Sequence, residues 1–254
     1  MKIVIIGTGN VATVFSRLLR QTQHQVVQVF GRNAGRAQAL ADAWQAAVCT
    51  EWPAIQTDAD LYIVALSDAA LYDLPWQLPD GLVVHTAGSV PKEALAGISS
   101  RYGVFYPLQS IRRLDMNAGA VPLLLEANST EDESRLAALA TDMGCAWQYC
   151  SAEDRKRLHL GAVWVNNFPN LLFSIAYRYC RQEKQDFRLL LPLIRETAGR
   201  LADGDPWQWQ TGPALRHDAS TLSMHGDMLA AYPNEQLLYR QLSEAIAAFN
   251  PAAE

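Results

Sequence analysis

KIVIIGTGNVATVF, residues 2–15, decides the fold. The run KIVIIG, 2–7, with Ile3 to Ile6 as its apolar part, reads as a strand and leads into a glycine turn, Gly7-Thr8-Gly9-Asn10-Val11-Ala12, of the form GxGxxA. Beyond the turn Val11, Val14, Phe15, Leu18 and Leu19 recur at helical spacing, and a second apolar run, QVVQVF, follows at 25–30. This is strand, tight turn, helix and strand within thirty residues. The first glycine permits the sharp turn and the second lets backbone approach a pyrophosphate. The small Ala12 lets the helix pack close to the sheet, and its free N–H groups attract phosphate. The pattern predicts a dinucleotide site in which Gly7, Thr8, Gly9, Asn10, Val11 and Ala12 surround the pyrophosphate.

The second strand ends in VFGRN, 29–33, where an NAD site usually places an acid for the ribose 2′-hydroxyl. Arg32 stands there instead, suited to charge-assisted bonds with a 2′-phosphate. Gly31 removes bulk beside it, Asn33 is placed to cap the next helix, and Arg36 lies one turn on. NADP(H) is therefore the expected cofactor. The missing acid also weakens an adenosylmethionine reading.

The remaining strand candidates are 61–66, 82–86, 104–106 and 121–126, and their alternation with helical stretches is the rhythm of a parallel sheet. After about residue 150 strand-like runs give way to long helical patterns. The expected fold is α/β, with a Rossmann doubly wound parallel sheet over 1–150 and a second, all-α domain over 151–254. Ser151 and Asp154 form a capping-box pattern that opens a helix. Leu158, Ala162, Val165, Leu172, Ala176 and Tyr179 make one apolar stripe on it. A second stripe holds Val163, Phe173, Tyr177 and Cys180, so this helix is expected to be buried on two sides, as the spine of a helical domain or one shared with a second subunit. Further helices are expected at 186–202, 218–231 and 235–248.

Composition narrows the function classes. Half of the 254 residues are hydrophobic, 19% are charged and the net charge is −5, which gives no reason to expect nucleic acid or an anionic membrane as partner. Cys49, Cys145, Cys150 and Cys180 form no CxxC pair, so reduced thiols are expected. No targeting peptide or membrane-spanning run is visible. These features together predict a cytoplasmic protein.

Ligands in such sheets bind beyond the carboxyl ends of the strands. Ser67 and Asp68 follow one strand, and His85, Thr86 and Ala87 end another. These five are expected to border the cofactor. His85 has two readings, a donor to a substrate oxygen or a holder of its own loop. The loop Tyr106 to Ser110 faces the same crevice. On the spine, His159, Asn166 and Asn170 fall on one helical face with Asn167 to the side. Amides in so apolar a helix require partners, and they either satisfy a kink at Pro169 or line the substrate crevice. Arg216, His217, Asp218 and His225 cluster near a helix start. Asp218 reads as an N-cap with Arg216 as its ion-pair partner, or Arg216 grips an anionic substrate, and the His and Asp residues there show no compact metal-ligand spacing.

The segments DLYIVALSDAAL (60–71), VVHTAGS (83–89), YPLQS (106–110), RLHLGAVWVNNFPNLL (157–172) and QTGPALRHD (210–218), with the N-terminal GxGxxA, resemble Rossmann-like proteins carrying the C-terminal domain of unknown function number 2520. The resemblance covers nearly the whole chain. It implies an NADP oxidoreductase similar in architecture to pyrroline-5-carboxylate reductase and ketopantoate reductase, which dimerises through its helical domain. Related dehydrogenases carry a Lys four residues before an Asn on the spine helix. Here Asn167 matches the Asn, but Val163 occupies the Lys position, leaving His159 as the nearest acid or base. The expected function is hydride transfer between NADP(H) and a small carbonyl, imine or hydroxy compound, with His159, Asn167 and Asn170 as the catalytic set. The alternative is a non-catalytic sensor of NADP.

Overall fold

The run Ile3 to Ile6 becomes β1 (Lys2–Ile6), fully buried in its apolar part because it lies between β2 (Gln25–Phe30) and β4 (Leu61–Val64) in a parallel sheet. The computed structural model describes residues 1–78, 80–111 and 121–249. Its eight strands are ordered β3-β2-β1-β4-β5-β6-β7-β8, with β3 at Ala47–Cys49, β5 at Leu82–His85, β6 at Arg101–Pro107, β7 at Leu123–Ala127 and β8 at Trp147–Tyr149. Every neighbouring pair is parallel except β6 with β7. The first six strands have the order of a dinucleotide-binding fold, and the strand order reverses beside β1, which opens a crevice at its carboxyl end.

Helices α1 (Asn10–Leu19), α2 (Ala34–Ala41) and α3 (Thr130–Asp142) connect strands of this sheet. Phe15, Leu19, Leu40, Leu136 and Leu139 join Ile3, Ile5, Ile63 and Phe105 in one core. Phe30, Tyr62, Trp76 and Leu95 build a second with Val4, Ile6 and Val64, the alternate residues of the same strands. Among the described residues, the crossovers after β4 and β5 contain only single 3₁₀ turns, Asp68–Tyr72 and Lys92–Leu95. The helical stretches expected there are thus shortened.

Two of the buried polar side chains here, His85 and Arg155, bear on the site. His85 is 0% exposed. Its Nε2 lies 3.2 Å from the Pro91 carbonyl and its Nδ1 accepts from the Ala87 amide at 3.2 Å, so the ring holds its own loop in the neutral, Nε2-protonated form. Burial pushes its pKa down to about 4. Arg155 is 1% exposed and sits on α4 (Ala152–Ala162), which Ser151 caps. Its guanidinium donates to Glu126 Oε2 at 2.7 Å and to the Val90 carbonyl at 2.8 Å, while Lys92 Nζ reaches the other Glu126 oxygen at 2.6 Å. Burial raises the Glu126 pKa, but the bonds and charges of Lys92 and Arg155 outweigh it and hold the carboxyl below its usual range.

The chain divides into two compact units, Met1–Phe168 and Pro169–Glu254. The sheet ends at Tyr149, close to the expected boundary at 150, but Arg155 ties α4 to β7, and the first unit continues to Phe168. The second unit holds α5 (Phe168–Gln182, whose first residue belongs to the first unit), α6 (Leu191–Gly199), α7 (Ala219–Met228) and α8 (Pro233–Ala248). Residues 250–254 of the expected helical domain lie outside the described residues. Among the described residues of this unit, only Cys180 and Ala214 are buried. The expectation of a spine buried on two sides fails within one chain. Leu158, Val165, Leu172, Phe173 and Tyr177 are all exposed.

Two outcomes follow from the buried polar groups. Arg155→Ala leaves Glu126 with half its partners and a cavity around it, and urea denaturation is expected to show a loss of about 3–5 kcal/mol. Because the folded pKa of His85 is depressed, the unfolded chain binds the extra proton. Its contribution is complete above pH 6.5 and is lost as pH falls towards 4, with ring NMR placing the midpoint near 4.

Candidate active site

The crevice beside β1 contains a cavity of about 490 Å³ lined by Gly7, Thr8, Gly31, Arg32, Asn33 and Arg36 on one side and by Leu66, Ser67, Ala70, Leu74, Pro75 and Trp52 on the other. Gly7 has φ +117°, and a Cβ there would lie 2.2 Å from the Ala65 carbonyl oxygen, so only glycine fits the turn. A Cβ at Gly9 would meet no protein atom within 4 Å, and α1 begins with neither a side-chain cap nor an acid in its first turn. This open, uncapped helix start fits a pyrophosphate. Val11 and Ala12 continue into α1, Ala12 fully buried, and the Asn10 amide donates to the Ile111 carbonyl at 3.2 Å.

Gly31 matters for a closer reason than bulk near a phosphate. A Cβ there would lie 2.5 Å from Thr8 Cγ2, so the residue lets β2 pass the glycine turn. Asn33 Oδ1 accepts from the Arg36 amide at 2.9 Å and caps α2. Among the described residues neither Arg32 nor Arg36 forms an ion pair, and both are exposed beside the cavity. Trp52, against Phe30 at 4.3 Å between ring centroids, forms a wall that sequence reading missed. It follows β3, a strand of three residues whose pattern is too short to register.

Farther along the carboxyl edge, Asp68 Oδ2 accepts from Ser89 Oγ at 2.5 Å. Thr86 and Ala87 are buried in the turn that His85 holds. Tyr106, at the end of β6, places its hydroxyl 3.1 Å from His159 Nδ1. A Cβ on Gly88 would lie 2.8 Å from the Tyr106 ring and 3.0 Å from that nitrogen. The β5 loop, β6 and α4 thus meet at one polar point. Burial, and then the negative charge of Asp68, push the Tyr106 pKa up and keep the phenol protonated.

The asparagines are exposed, so the desolvation argument made from their apolar helix does not hold. Asn166 Nδ2 and Asn167 Oδ1 are 3.5 Å apart. Residues Val163–Asn167 form a π turn in which the Phe168 amide bonds to the Val163 carbonyl. Pro169, lacking an N–H, cannot close a regular turn at this point. The wider turn takes in one extra residue, which brings Asn167 rather than Asn166 onto the stripe of His159. His159 and Asn167 belong to the first unit, Asn170 to the second. In the second unit Asp218 caps α7 and bonds to Ser220 and Thr221, which lowers its pKa to about 2. His225 Nδ1 lies 2.7 Å from the Tyr239 hydroxyl. Among the described residues no ion pair joins Arg216 to Asp218.

Residues 1–78 match the oxidoreductase family with an NAD-binding Rossmann fold, and residues 121–246 match the domain of unknown function DUF2520. No curated protein matches the chain. A putative NADP oxidoreductase from Bacteroides fragilis is 37% identical, with a TM-score of 0.87 and 98% of each chain covered. The 1-pyrroline-5-carboxylate reductase of Streptococcus pyogenes is 17% identical over 98% of this chain and 99% of its own, TM-score 0.63. A reductive aminase from Aspergillus terreus, solved with NADPH and ethyl-5-oxohexanoate, is 17% identical over 96% of this chain and 92% of its own, TM-score 0.62. The last two share the fold. No described helix is long and apolar enough to cross a membrane. With both parts of the chain matched and a 37%-identical relative along its whole length, the protein belongs to the family that joins an NAD(P)-binding oxidoreductase Rossmann domain to DUF2520.

Proposed function

We propose that the protein is an NADP(H)-dependent oxidoreductase of the cytoplasm that reduces, or in reverse oxidises, a small carbonyl, imine or hydroxy compound. One observation carries the cofactor choice. Arg32 and Arg36 border the same cavity as the glycine turn and spend their charge on no carboxylate of the described chain. Their chemistry suits a 2′-phosphate. When bound, the reduced nicotinamide supplies a hydride. The chain's own groups bind the phosphates, orient the acceptor through Asn167 and exchange a proton through His159.

The nearly coreless second unit supports a further part of this reading, a homodimer through the helical domain. Each large apolar side chain left in water forgoes about 1.5–3 kcal/mol, and a second copy supplies the same exposed stripes as cover. Val163 in the place of the related Lys favours the alternative of a sensor that binds NADP without turnover.

Titration should show NADPH preferred over NADH, and Arg32→Asp should lower that preference about 10- to 100-fold; an unchanged ratio removes Arg32 from the site. Purified protein should consume NADPH with some member of a panel of small aldehydes, ketones and imines, whereas binding without consumption supports the sensor. Light scattering should give twice the chain mass, and Leu172→Glu should reduce it to one.

A further inference from the structure

We infer that the Tyr106 hydroxyl is the group that hands the proton to the acceptor's heteroatom, with His159 behind it as the relay to solvent. The inference rests on the oxidoreductase reading and deepens it. Tyr106 is the inner member of the pair, half-buried at the end of β6, and His159 is the outer, exposed on α4. Among the described residues His159 Nε2 has no hydrogen-bond partner, while Nδ1 is committed to the phenol. Gly88 sits against both rings and belongs to the loop after β5, at the carboxyl edge where the fold places its ligands. A phenol here can donate in only one direction at a time. If Nδ1–H donates to the phenol oxygen, the phenol proton is free to point into the crevice.

The charged groups that act on Tyr106 are Asp68, which with burial keeps it protonated, and Arg155, which opposes them. A neutral phenol at ordinary pH is a proton donor, as the reduction direction requires. In the step, the acceptor carbon gains the hydride and the π pair of its C=O or C=N bond moves to the heteroatom. The heteroatom takes the proton as the Tyr106 O–H bond breaks. The Nδ1 proton restores that bond while a solvent hydronium protonates Nε2, so one solvent proton is consumed overall, and exchange with solvent through the imidazolium returns the Nδ1–H tautomer before the next turnover. No further oxidant or reductant is needed.

Two measurements test this. Nitrogen-15 NMR of the full-length protein, alone and with NADP⁺, is expected to show neutral His159 protonated at Nδ1, and Tyr106→Phe should abolish that tautomer preference. Protonation at Nε2 in the wild type overturns the relay whether or not a substrate has been found. With any panel compound that the wild type consumes, Tyr106→Phe should keep NADPH affinity and KM within about threefold while kcat falls about 10²- to 10⁴-fold. His159→Ala should lose less and be partly restored by added imidazole. A Tyr106→Phe kcat within threefold of the wild type overturns the assignment. Absence of NADPH consumption by the wild type itself counts against the oxidoreductase reading, while the tautomer measurement still decides the pair.

Discussion

A guanidinium with almost no contact with water is tolerable only if its charge is answered, and Arg155 is answered by Glu126. The site depends on this pairing more than on any single apolar contact. Glu126 sits on β7, the strand that breaks the parallel order, and Lys92 approaches it from the crossover after β5. The Val90 carbonyl adds a bond from the same crossover. One partly buried carboxylate therefore gathers the last strands, the β5 loop and α4. Among the described residues Arg155 Nε has no partner, so the pairing does not satisfy every donor of the guanidinium. What it secures is the position of one helix.

That position gives His159 a chemical neighbour. An exposed histidine on a helix is ordinarily a solvated surface group, but this one meets Tyr106 over a glycine. His85, the residue with the more suggestive place in the sequence, is spent on its own loop and held neutral by burial. The two histidines divide the work. One shapes the turn after β5, and the other stands at its mouth.

The nucleotide half was legible because its constraints are local. Gly7 and Gly9, the small Ala12 and the strand that follows act within thirty residues, and backbone geometry alone demands them. Strands β3 and β8 escaped notice because three residues cannot display a period. The π turn at Val163–Asn167 displaced the asparagines from the face that regular helical spacing assigns them. Tyr106 was noticed only as part of a loop, since its partner lies 53 residues away and no local pattern links them. The apolar stripes running from Leu158 to Cys180 predicted burial, and Leu158, Val165, Leu172, Phe173 and Tyr177 are exposed, since a pattern does not say whose surface covers it.

The antiparallel step from β6 to β7 has one more effect. Glu126 pairs with Val104 and Leu124 with Tyr106, so the carboxylate and the phenol stand two strand residues apart. Two strand residues rise about 6.6 Å, and the four helix residues from Arg155 to His159 rise about 6 Å. Helix and strand are commensurate over this interval, like two scales ruled to the same unit. An anchor set at the lower mark delivers the imidazole at the upper one. Side chains between the marks are free to vary, but the number of residues between them is fixed by arithmetic.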